Sequence, residues 1–229
     1  MHTAWKEIWE RKGSAVPHSQ QEVFAANGFD TGGARLDQED YQELIAGVRG
    51  TLGITSSSRV LDVGCGCGTV LRDIGAGSAL GVDYSSSQVR LAQKLFPQAE
   101  FQHSEANAFE VAEGEFDAVL SFGVMQYLPD RAYVREMLAR MTRSLRGGGC
   151  GLLLDIPDAA TREACEAYRA ETIPDYREKY AATQHTYFDR DELIGDLRTL
   201  GCRAWVIEHF MRHYGYRPFR FNLQFEKPV

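Results

Sequence analysis

The sequence contains no apolar stretch that approaches the ~20 residues needed for a membrane-spanning helix. Residues 1–12 carry five charged side chains and therefore lack the apolar core of a secretory signal peptide. Cysteine is scarce as well, and its five copies are odd in number and irregularly spaced, unlike a secreted disulfide framework. These absences predict a cytoplasmic protein with reduced thiols and no membrane partner.

Runs of lysine and arginine are absent too. The 25 basic residues are outnumbered by 32 acidic ones, which gives a formal net charge of −7. Because phosphate backbones repel such a chain, we expect no nucleic acid as a partner. A small-molecule substrate is the partner that we expect, for a chain that acts as a monomer or a homodimer.

The composition that is present is typical of a soluble globular protein. Hydrophobic residues make up 44% and charged residues 25% of the 229 positions. This length suits one domain of ordinary size, and we find no internal repeat or low-complexity linker that would divide it. We therefore expect a single domain over residues 1–229.

Short apolar runs alternate with helical patterns from Arg59 onward. The runs that read as strands cover residues 59–63, 79–82, 100–103, 116–122, 151–155, 203–209 and 219–225. Ser85 and Asp189 have the spacing of capping residues and predict the starts of two helices. Another helix is predicted after Asp130, with its end at the glycines 147–149. The alternation predicts a doubly wound parallel α/β sheet, with its last two strands forming an antiparallel hairpin at the edge.

Two segments, residues 1–50 and 157–188, do not follow this alternation. In the first, Trp5, Ile8 and Trp9 fall on one face of a predicted N-terminal helix, which packs over the domain and can also close as a lid. The second is the natural place for a lid and a substrate pocket. We therefore expect one domain with a helical N-terminal elaboration and a substrate-binding insertion.

A glycine loop joins the first strand to its helix. Gly64, Gly66 and Gly68 alternate with cysteines there, so that the backbone can approach a ligand and the amides at the helix start can point toward it. Asp62 precedes the loop, where a carboxylate suits a cationic group of the ligand. Asp83 ends the second strand, from which it can accept both hydroxyls of a ribose, and Ser85 leaves it free of a capping role.

Five segments in this order, VLDVGCGCGT, GVDYS, SEANAF, FDAVLSFGVMQYLPD and LRGGGCGLLLDIPD, carry a family resemblance. They resemble the motif set of class I S-adenosylmethionine-dependent methyltransferases, in particular small bacterial members that act on metabolites and natural products. The resemblance covers roughly residues 55–157, and FDRDEL…LGC near 188–202 matches more loosely. It implies a Rossmann-like sheet of seven strands with the last one antiparallel.

The resemblance also implies S-adenosyl-L-methionine as cofactor, S-adenosyl-L-homocysteine as product, and a set of binding residues. Those for the methionine part are Asp62, Gly64, Gly66 and Gly68. Those for the adenosine part are Asp83, Tyr84, Glu105 and Ala106, with Glu105 standing where the family usually has Asp. Phe122, at the end of the fourth strand, would lie beside the sulfonium and the methyl group.

Methyl transfer is an in-line displacement that needs alignment of the acceptor and, for a hydroxyl acceptor, removal of a proton. By position in the family, Gln126, Tyr127, Asp155 and Tyr187 are candidates for substrate binding. His185 is the candidate general base. An ordinary histidine at position 185 and a turn-capping role for Asp155 are the alternatives. The acceptor is expected to be a sugar or natural product, with a hydroxyl favoured over an amine.

No metal is expected in this reaction. His209 and His213 have the spacing of metal ligands only on a helix, whereas their surroundings read as a strand and a loop. Cys65 and Cys67 are too close in sequence for a zinc pair. Metal-dependent relatives need an acid at the end of the fourth strand, where this chain has Phe122.

Two other functions compete with methyl transfer. A nicotinamide-dependent oxidoreductase also uses a glycine loop and an acid, but counted from Gly64 the sixth place of its fingerprint holds Thr69 instead of glycine. A non-catalytic S-adenosylmethionine-binding or regulatory protein would share every residue named above, because a fold does not determine an activity.

Overall fold

The computed structural model describes residues 3–30, 35–180 and 183–229. Its seven strands are β1 (Arg59–Val63), β2 (Ser78–Asp83), β3 (Glu100–His103), β4 (Phe116–Phe122), β5 (Leu145–Pro157), β6 (Arg203–Ile207) and β7 (Arg220–Glu226). They form one sheet in the order β3-β2-β1-β4-β5-β7-β6. Strand β7 is antiparallel to both of its neighbours, and the other neighbouring pairs are parallel. The predicted fold class is confirmed, including the antiparallel hairpin at the edge.

Helices cover both faces of this sheet. They are α1 (Thr3–Lys12), α2 (Gln20–Ala26), α3 (Gln38–Thr51), α4 (Thr69–Asp73), α5 (Ser86–Leu95), α6 (Arg131–Ser144), α7 (Arg162–Thr172), α8 (Tyr176–Lys179) and α9 (Arg190–Thr199). The predicted caps are confirmed: the side chains of Ser85 and Asp189 accept hydrogen bonds from the third amide that follows them. Each helix therefore begins where the sequence signal stands.

The predicted end of helix α6 at the glycines 147–149 is wrong. The helix ends at Ser144, and Leu145 already pairs with Phe116 in the sheet. Both of these side chains are fully buried, so that burial and sheet pairing determine the boundary rather than the glycines. The glycines instead lie inside β5, where the pairing with β4 changes register.

The core lies on both faces of the sheet. One cluster packs strands against α6 and α9, and the other packs them against α3 and α4. Strand β4 is buried at six of its seven positions, which explains its continuous apolar run in the sequence. Because the parallel strands all end at one edge, the residues that follow them gather there.

The N-terminal helix α1 crosses this edge and is attached to helix α5. The Glu10 carboxylate accepts hydrogen bonds from the backbone amides of Ser86 (2.7 Å) and Ser87 (3.1 Å), the first residues of α5. A negative charge at a helix N-terminus is favourable, so Glu10 acts as a second cap. Parts of the two segments predicted as elaborations, residues 1–2, 31–34 and 181–182, lie outside the described residues.

Across the described ranges, every helix is too short or too polar to cross a bilayer. The five cysteines are all free thiols, four of them buried.

Candidate active site

A cleft opens at the carboxyl ends of β1, β2 and β4. Seven of the nine predicted cofactor-binding residues line it, namely Asp62, Gly64, Gly66, Asp83, Tyr84, Ala106 and Phe122. Gly68 and Glu105 do not line the cleft. The structure thus brings most of the predicted set together around one ligand-sized space, while their roles toward the cofactor stay predictions.

The glycine loop admits no side chains at two positions. A Cβ on Gly64 would lie 2.3 Å from a methyl group of Val124, and one on Gly66 would lie 2.2 Å from Oδ1 of Asn27. Both glycines also have positive φ, +80° and +54°, which other residues adopt only with strain. Gly68 lies behind the loop, where a Cβ would touch the ring of Phe101. Its position makes it a packing and turn residue.

The amides within the loop itself are used by the protein, while the expectation for the amides at the start of α4 stays a prediction. The N–H of Gly64 donates to the carbonyl of Val82 (2.7 Å), and that of Gly66 donates to the Asp83 carboxylate (2.9 Å). The amide of Cys67 donates to the side chain of Asn27 (3.2 Å). Since these donors are already used, the loop is suited to close backbone approach rather than to binding phosphate.

Two buried carboxylates face the cleft. Asp62 is 2% exposed, and within the described chain its Oδ1 has no hydrogen-bond partner. Burial, together with the neighbouring charge of Asp83, raises the pKa of Asp62 to about 8. Burial also raises the pKa of Asp83 to about 6, although the amides of Ser85 and Gly66 stabilise its charge. A cation placed beside Asp62 would offset the energetic cost of burying its negative charge.

Glu105, predicted to bind the adenine edge, is paired within the protein. Its carboxylate forms an ion pair with Lys6 and accepts a hydrogen bond from the Tyr133 hydroxyl (2.8 Å). Burial opposes its charge, but these two donors outweigh burial and lower the pKa of Glu105. The amide of Ala106 donates to the same Tyr133 oxygen (3.1 Å). Tyr133 lines the cleft between them, and the sequence carried no signal for it beyond its place on α6.

The N-terminal elaboration supplies residues that the sequence analysis did not assign. Trp9, Asn27, Phe29 and Tyr41 all line the cleft. The ring of Phe29 stacks on that of Phe122, with centroids 5.2 Å apart and planes at 19°. The sequence signal for these residues is their location in a segment outside the alternation of strands and helices.

A second cavity adjoins the cleft and contains most of the predicted acceptor residues. Gln126, Tyr127, Asp155 and His185 line it. Tyr187 lies outside, where its hydroxyl donates to the carboxylate of Glu166 (2.6 Å). Five residues line both spaces, namely Trp9, Asn27, Phe29, Gly123 and Tyr127. The junction of the two spaces is therefore largely aromatic.

His185 packs against aromatic rings in the second cavity and is partly buried. The ring centroids of Trp5 and Tyr127 lie 5.2 Å and 5.5 Å from that of His185. Its Nδ1 accepts a hydrogen bond from the guanidinium of Arg169. Burial and the charges of Arg169 and Arg220 hold the pKa of His185 well below its usual range. The imidazole is neutral at pH 7 and shares one lone pair with a cation, which weakens it as a base.

Asp155 lies at the far wall of this cavity and has an unusual backbone conformation. Its φ is +60°, at a point where the pairing of β5 with β7 changes register. Its carboxylate accepts a hydrogen bond from Tyr214 (3.1 Å) and lies 3.7 Å from both His209 Nε2 and Arg220 Nε. The sequence analysis did not assign Tyr214 or Arg220, because they lie about sixty residues further along the chain.

Metal-ligating side chains do not cluster in the part of the chain that the structure describes. No group of three His, Cys, Asp or Glu residues there is arranged to hold an ion. His209 faces Asp155, whereas the backbone amide of His213 donates to Asp40 (2.9 Å). The two histidines thus belong to different contacts.

Comparisons with known proteins agree with this architecture. Residues 60–149 match the family model described as a methyltransferase domain. The chain is 30% identical to a demethylmenaquinone methyltransferase of Beutenbergia cavernae over 173 residues, which cover 72% of this chain and 70% of that one. It is also 30% identical to a ubiquinone biosynthesis O-methyltransferase of Aromatoleum aromaticum, over 38% of this chain and 41% of that one.

Among solved structures, the fold is similar to that of CalS10, an amino pentose methyltransferase from Micromonospora echinaspora with S-adenosylmethionine bound. The TM-score is 0.65 at 19% identity, and the match covers 93% of this chain and 99% of that one. The chain belongs to the class I S-adenosylmethionine-dependent methyltransferases. The predicted family and cofactor are confirmed, and the oxidoreductase alternative is set aside.

Proposed function

We propose that this methyltransferase transfers the methyl group to a hydroxyl or amine of a small metabolite, a sugar or natural product, without a metal. The observation that carries the proposal is the shared wall between the two spaces. Trp9, Phe29 and Tyr127 border both the cofactor cleft and the second cavity. An acceptor in the second cavity would face the methyl group across this aromatic junction, as in-line displacement requires.

The residues of the cleft fit the proposed cofactor. Oδ1 of Asp62, which has no hydrogen-bond partner among the described residues, suits the ammonium of the methionine part. Gly64 and Gly66 let Val124 and Asn27 pack directly against the loop that borders the cleft. Asp83 is assigned to the ribose hydroxyls, Tyr84 to the adenine face, and Phe122 to the sulfonium side. The cofactor supplies a methyl group that positive sulfur already activates.

For the adenine edge we propose a modified arrangement. The Tyr133 hydroxyl stands between the Glu105 carboxylate and the Ala106 amide, the two groups that the family resemblance assigns to this edge. Tyr133 is therefore the group that meets adenine, and Glu105 orients it. Lys6 completes this contact from helix α1.

The covered shape of the second cavity supports a small acceptor. Helix α1 contributes Trp5 and Trp9, and the predicted insertion contributes Arg169, Tyr180 and His185. Such a cover leaves little access for a polymer. By name, one relative is an O-methyltransferase of ubiquinone biosynthesis, and one structural neighbour is an amino pentose methyltransferase. A hydroxyl remains our proposal, with His185 as its candidate base. Gln126, Tyr127 and Asp155, which line the second cavity, are the candidate acceptor contacts.

A methyl-transfer assay tests the proposal. The purified protein is incubated with S-adenosylmethionine and a panel of sugars, phenols and amines, and S-adenosylhomocysteine formation is measured. The variant Asp83→Ala serves as the inactive reference, and the exposed Glu113→Ala as the matched control. Cofactor binding without turnover on any acceptor would favour the non-catalytic alternative. A cytoplasmic location, the monomeric or homodimeric state and the lack of nucleic-acid or membrane partners stay predictions from composition.

A further inference from the structure

Two arginine side chains are buried in the wall of the second cavity. The side chain of Arg220 is 2% exposed and that of Arg169 is 4% exposed. Arginine is rarely buried to this extent unless its charge and its hydrogen bonds are matched. The contacts of the two guanidinium groups therefore indicate what the cavity is built to bind.

Arg220 is incompletely matched. Its Nε lies 3.7 Å from Oδ1 of Asp155, beyond hydrogen-bond distance, and its guanidinium stacks over the ring of Tyr216 at 5.3 Å. In the described ranges, neither its Nε nor its Nη1 has a hydrogen-bond partner. A buried cation with two donor atoms that no described residue satisfies is suited to bind an acceptor group of a ligand.

Arg169 offers a second donor to the same space. It donates to the neutral His185, and the nearest carboxylate oxygen, on Glu166, lies 3.9 Å away. Its Nε has no hydrogen-bond partner among the residues that are described. The neighbouring rings of Tyr176 and Tyr180 lie 4.8 Å and 5.6 Å from the guanidinium carbon, at distances that allow cation–π contacts.

The charge of this cavity is opposite to that of the chain. The protein carries a formal net charge of −7. The cavity lining instead contains four cationic side chains, Arg11, Lys12, Arg169 and Arg220, against two carboxylates, Asp30 and Asp155. A positive space in an acidic protein attracts and retains anions that other surfaces repel.

We propose that the acceptor substrate carries an oxyanion, a carboxylate or a phosphate, which Arg220 and Arg169 bind in the second cavity. The proposal rests on the proposed function, because it describes the acceptor of that reaction. Guanidinium groups match the two oxygens of such an anion and form strong charge-assisted hydrogen bonds with it. Aromatic walls from Trp5, Tyr127 and Tyr214 favour an acid with a flat, ring-like body.

Polar acceptors in the same wall refine this assignment. Oε1 of Gln126 and Oδ1 of Asp155 have no hydrogen-bond donor within the part of the chain described. Such atoms would repel an oxyanion but accept a hydrogen bond from a hydroxyl or N–H group of the ligand. The cavity thus suits an acid that also carries a donor, which is the kind of group that can be methylated.

Calorimetry on the intact protein, saturated with S-adenosylhomocysteine, tests this proposal. Benzoate and phenyl phosphate are titrated as anionic probes, with benzamide as the neutral and benzylamine as the cationic counterpart. We expect at least one anion to bind in the millimolar range or tighter, and about tenfold more tightly than benzamide, as a hydrogen bond to a charged group provides. The preferred anion identifies carboxylate or phosphate.

Variants assign the binding to the arginines. Arg220→Met is expected to lose the preference for anions, whereas the matched control Arg198→Met, at an exposed position of α9, retains it. In Arg220→Met the buried Asp155 carboxylate loses its neighbouring cation, which can prevent folding. The double variant Arg220→Met with Asp155→Asn removes both charges together and avoids this problem.

Several outcomes would overturn the proposal. They are equal or tighter binding of benzamide or benzylamine, no binding of either anion, or unchanged anion binding by both Arg220 variants. Titration of the unliganded wild-type protein with S-adenosylhomocysteine separates the two levels of inference. If S-adenosylhomocysteine does not bind, the proposed function is contradicted. If it binds but neither anion does, only the oxyanion site is contradicted.

Discussion

Protonation of Asp62 is expected to control the affinity for the cofactor. In the unliganded protein, burial and the charge of Asp83 raise the pKa of Asp62 to about 8, so that the carboxyl is mostly neutral at pH 7. A ligand ammonium beside its unpartnered oxygen favours the ionised form. Binding of S-adenosylhomocysteine should therefore release a proton, and the affinity should rise with pH.

The structure sets the size and sign of this effect. One group that titrates at pH 8 in the free protein and is ionised in the complex increases the binding constant roughly fiftyfold between pH 6 and pH 8, or about 2 kcal/mol. Above pH 8 the affinity levels off, and it falls when the ligand's own ammonium loses its proton. Near pH 6 and below, titration of Asp83 adds to the slope.

Isothermal calorimetry from pH 6 to pH 8, in buffers with different heats of ionisation, measures both affinity and proton release. The Asp62→Asn variant should bind S-adenosylhomocysteine more weakly than the wild type at pH 8. Between pH 6 and pH 8 its affinity should change little with pH, because the titrating group is gone. Glu113→Gln, an exposed carboxylate, is the matched control and should behave like the wild type. An affinity of the wild type that is constant over this range, with no proton released, would refute the assignment of Asp62.

Three further predictions concern other residues of the site. Asp83→Ala should abolish binding of S-adenosylhomocysteine while circular dichroism shows an intact fold, and unchanged affinity would contradict its place at the ribose. His185→Ala should slow turnover more than it weakens cofactor binding; full activity would remove it as the base. Glu10→Ala removes the second cap on α5, worth about 1 kcal/mol, and with it the attachment of α1 to α5. The amide hydrogens of α1 should then exchange faster, and the protein should release S-adenosylhomocysteine sooner. Release at the wild-type rate in a stopped-flow displacement would show that α1 does not cover the cleft.

The parts of the fold that were predicted correctly rest on local signals. An apolar strand of five residues, a glycine loop and a capped helix are each encoded within a short window, and they gave β1, α4 and α5. The end of α6 was missed because it depends on the pairing of Leu145 with Phe116, which are distant in sequence. Glycines alone could not reveal that the chain had already entered the sheet.

The same distinction separates the two halves of the site. Asp62 is the last but one residue of β1 and Asp83 is the last residue of β2, so the chain order alone brings them to one edge of the sheet. Tyr133 and Glu105 lie 28 residues apart and meet only because α6 packs beside the loop after β3. No periodicity or motif in a single sequence encodes such a contact. The cleft could therefore be outlined in advance, but the Tyr133–Glu105 contact at its edge could not.

The acceptor cavity shows why chemistry read from one residue can mislead. His185 is predicted as a base from its place in the insertion, before a capped helix, yet burial and the buried arginines from α7 and β7 hold its pKa down. The same positive field that weakens an imidazole base also lowers the pKa of a hydroxyl or acid on a bound ligand. An acceptor that arrives ionised needs no base at all. If the acceptor is the proposed oxyanion, Arg220 and Arg169 replace His185 in promoting the reaction. A pH profile of turnover in His185→Ala that matches the wild type would favour them.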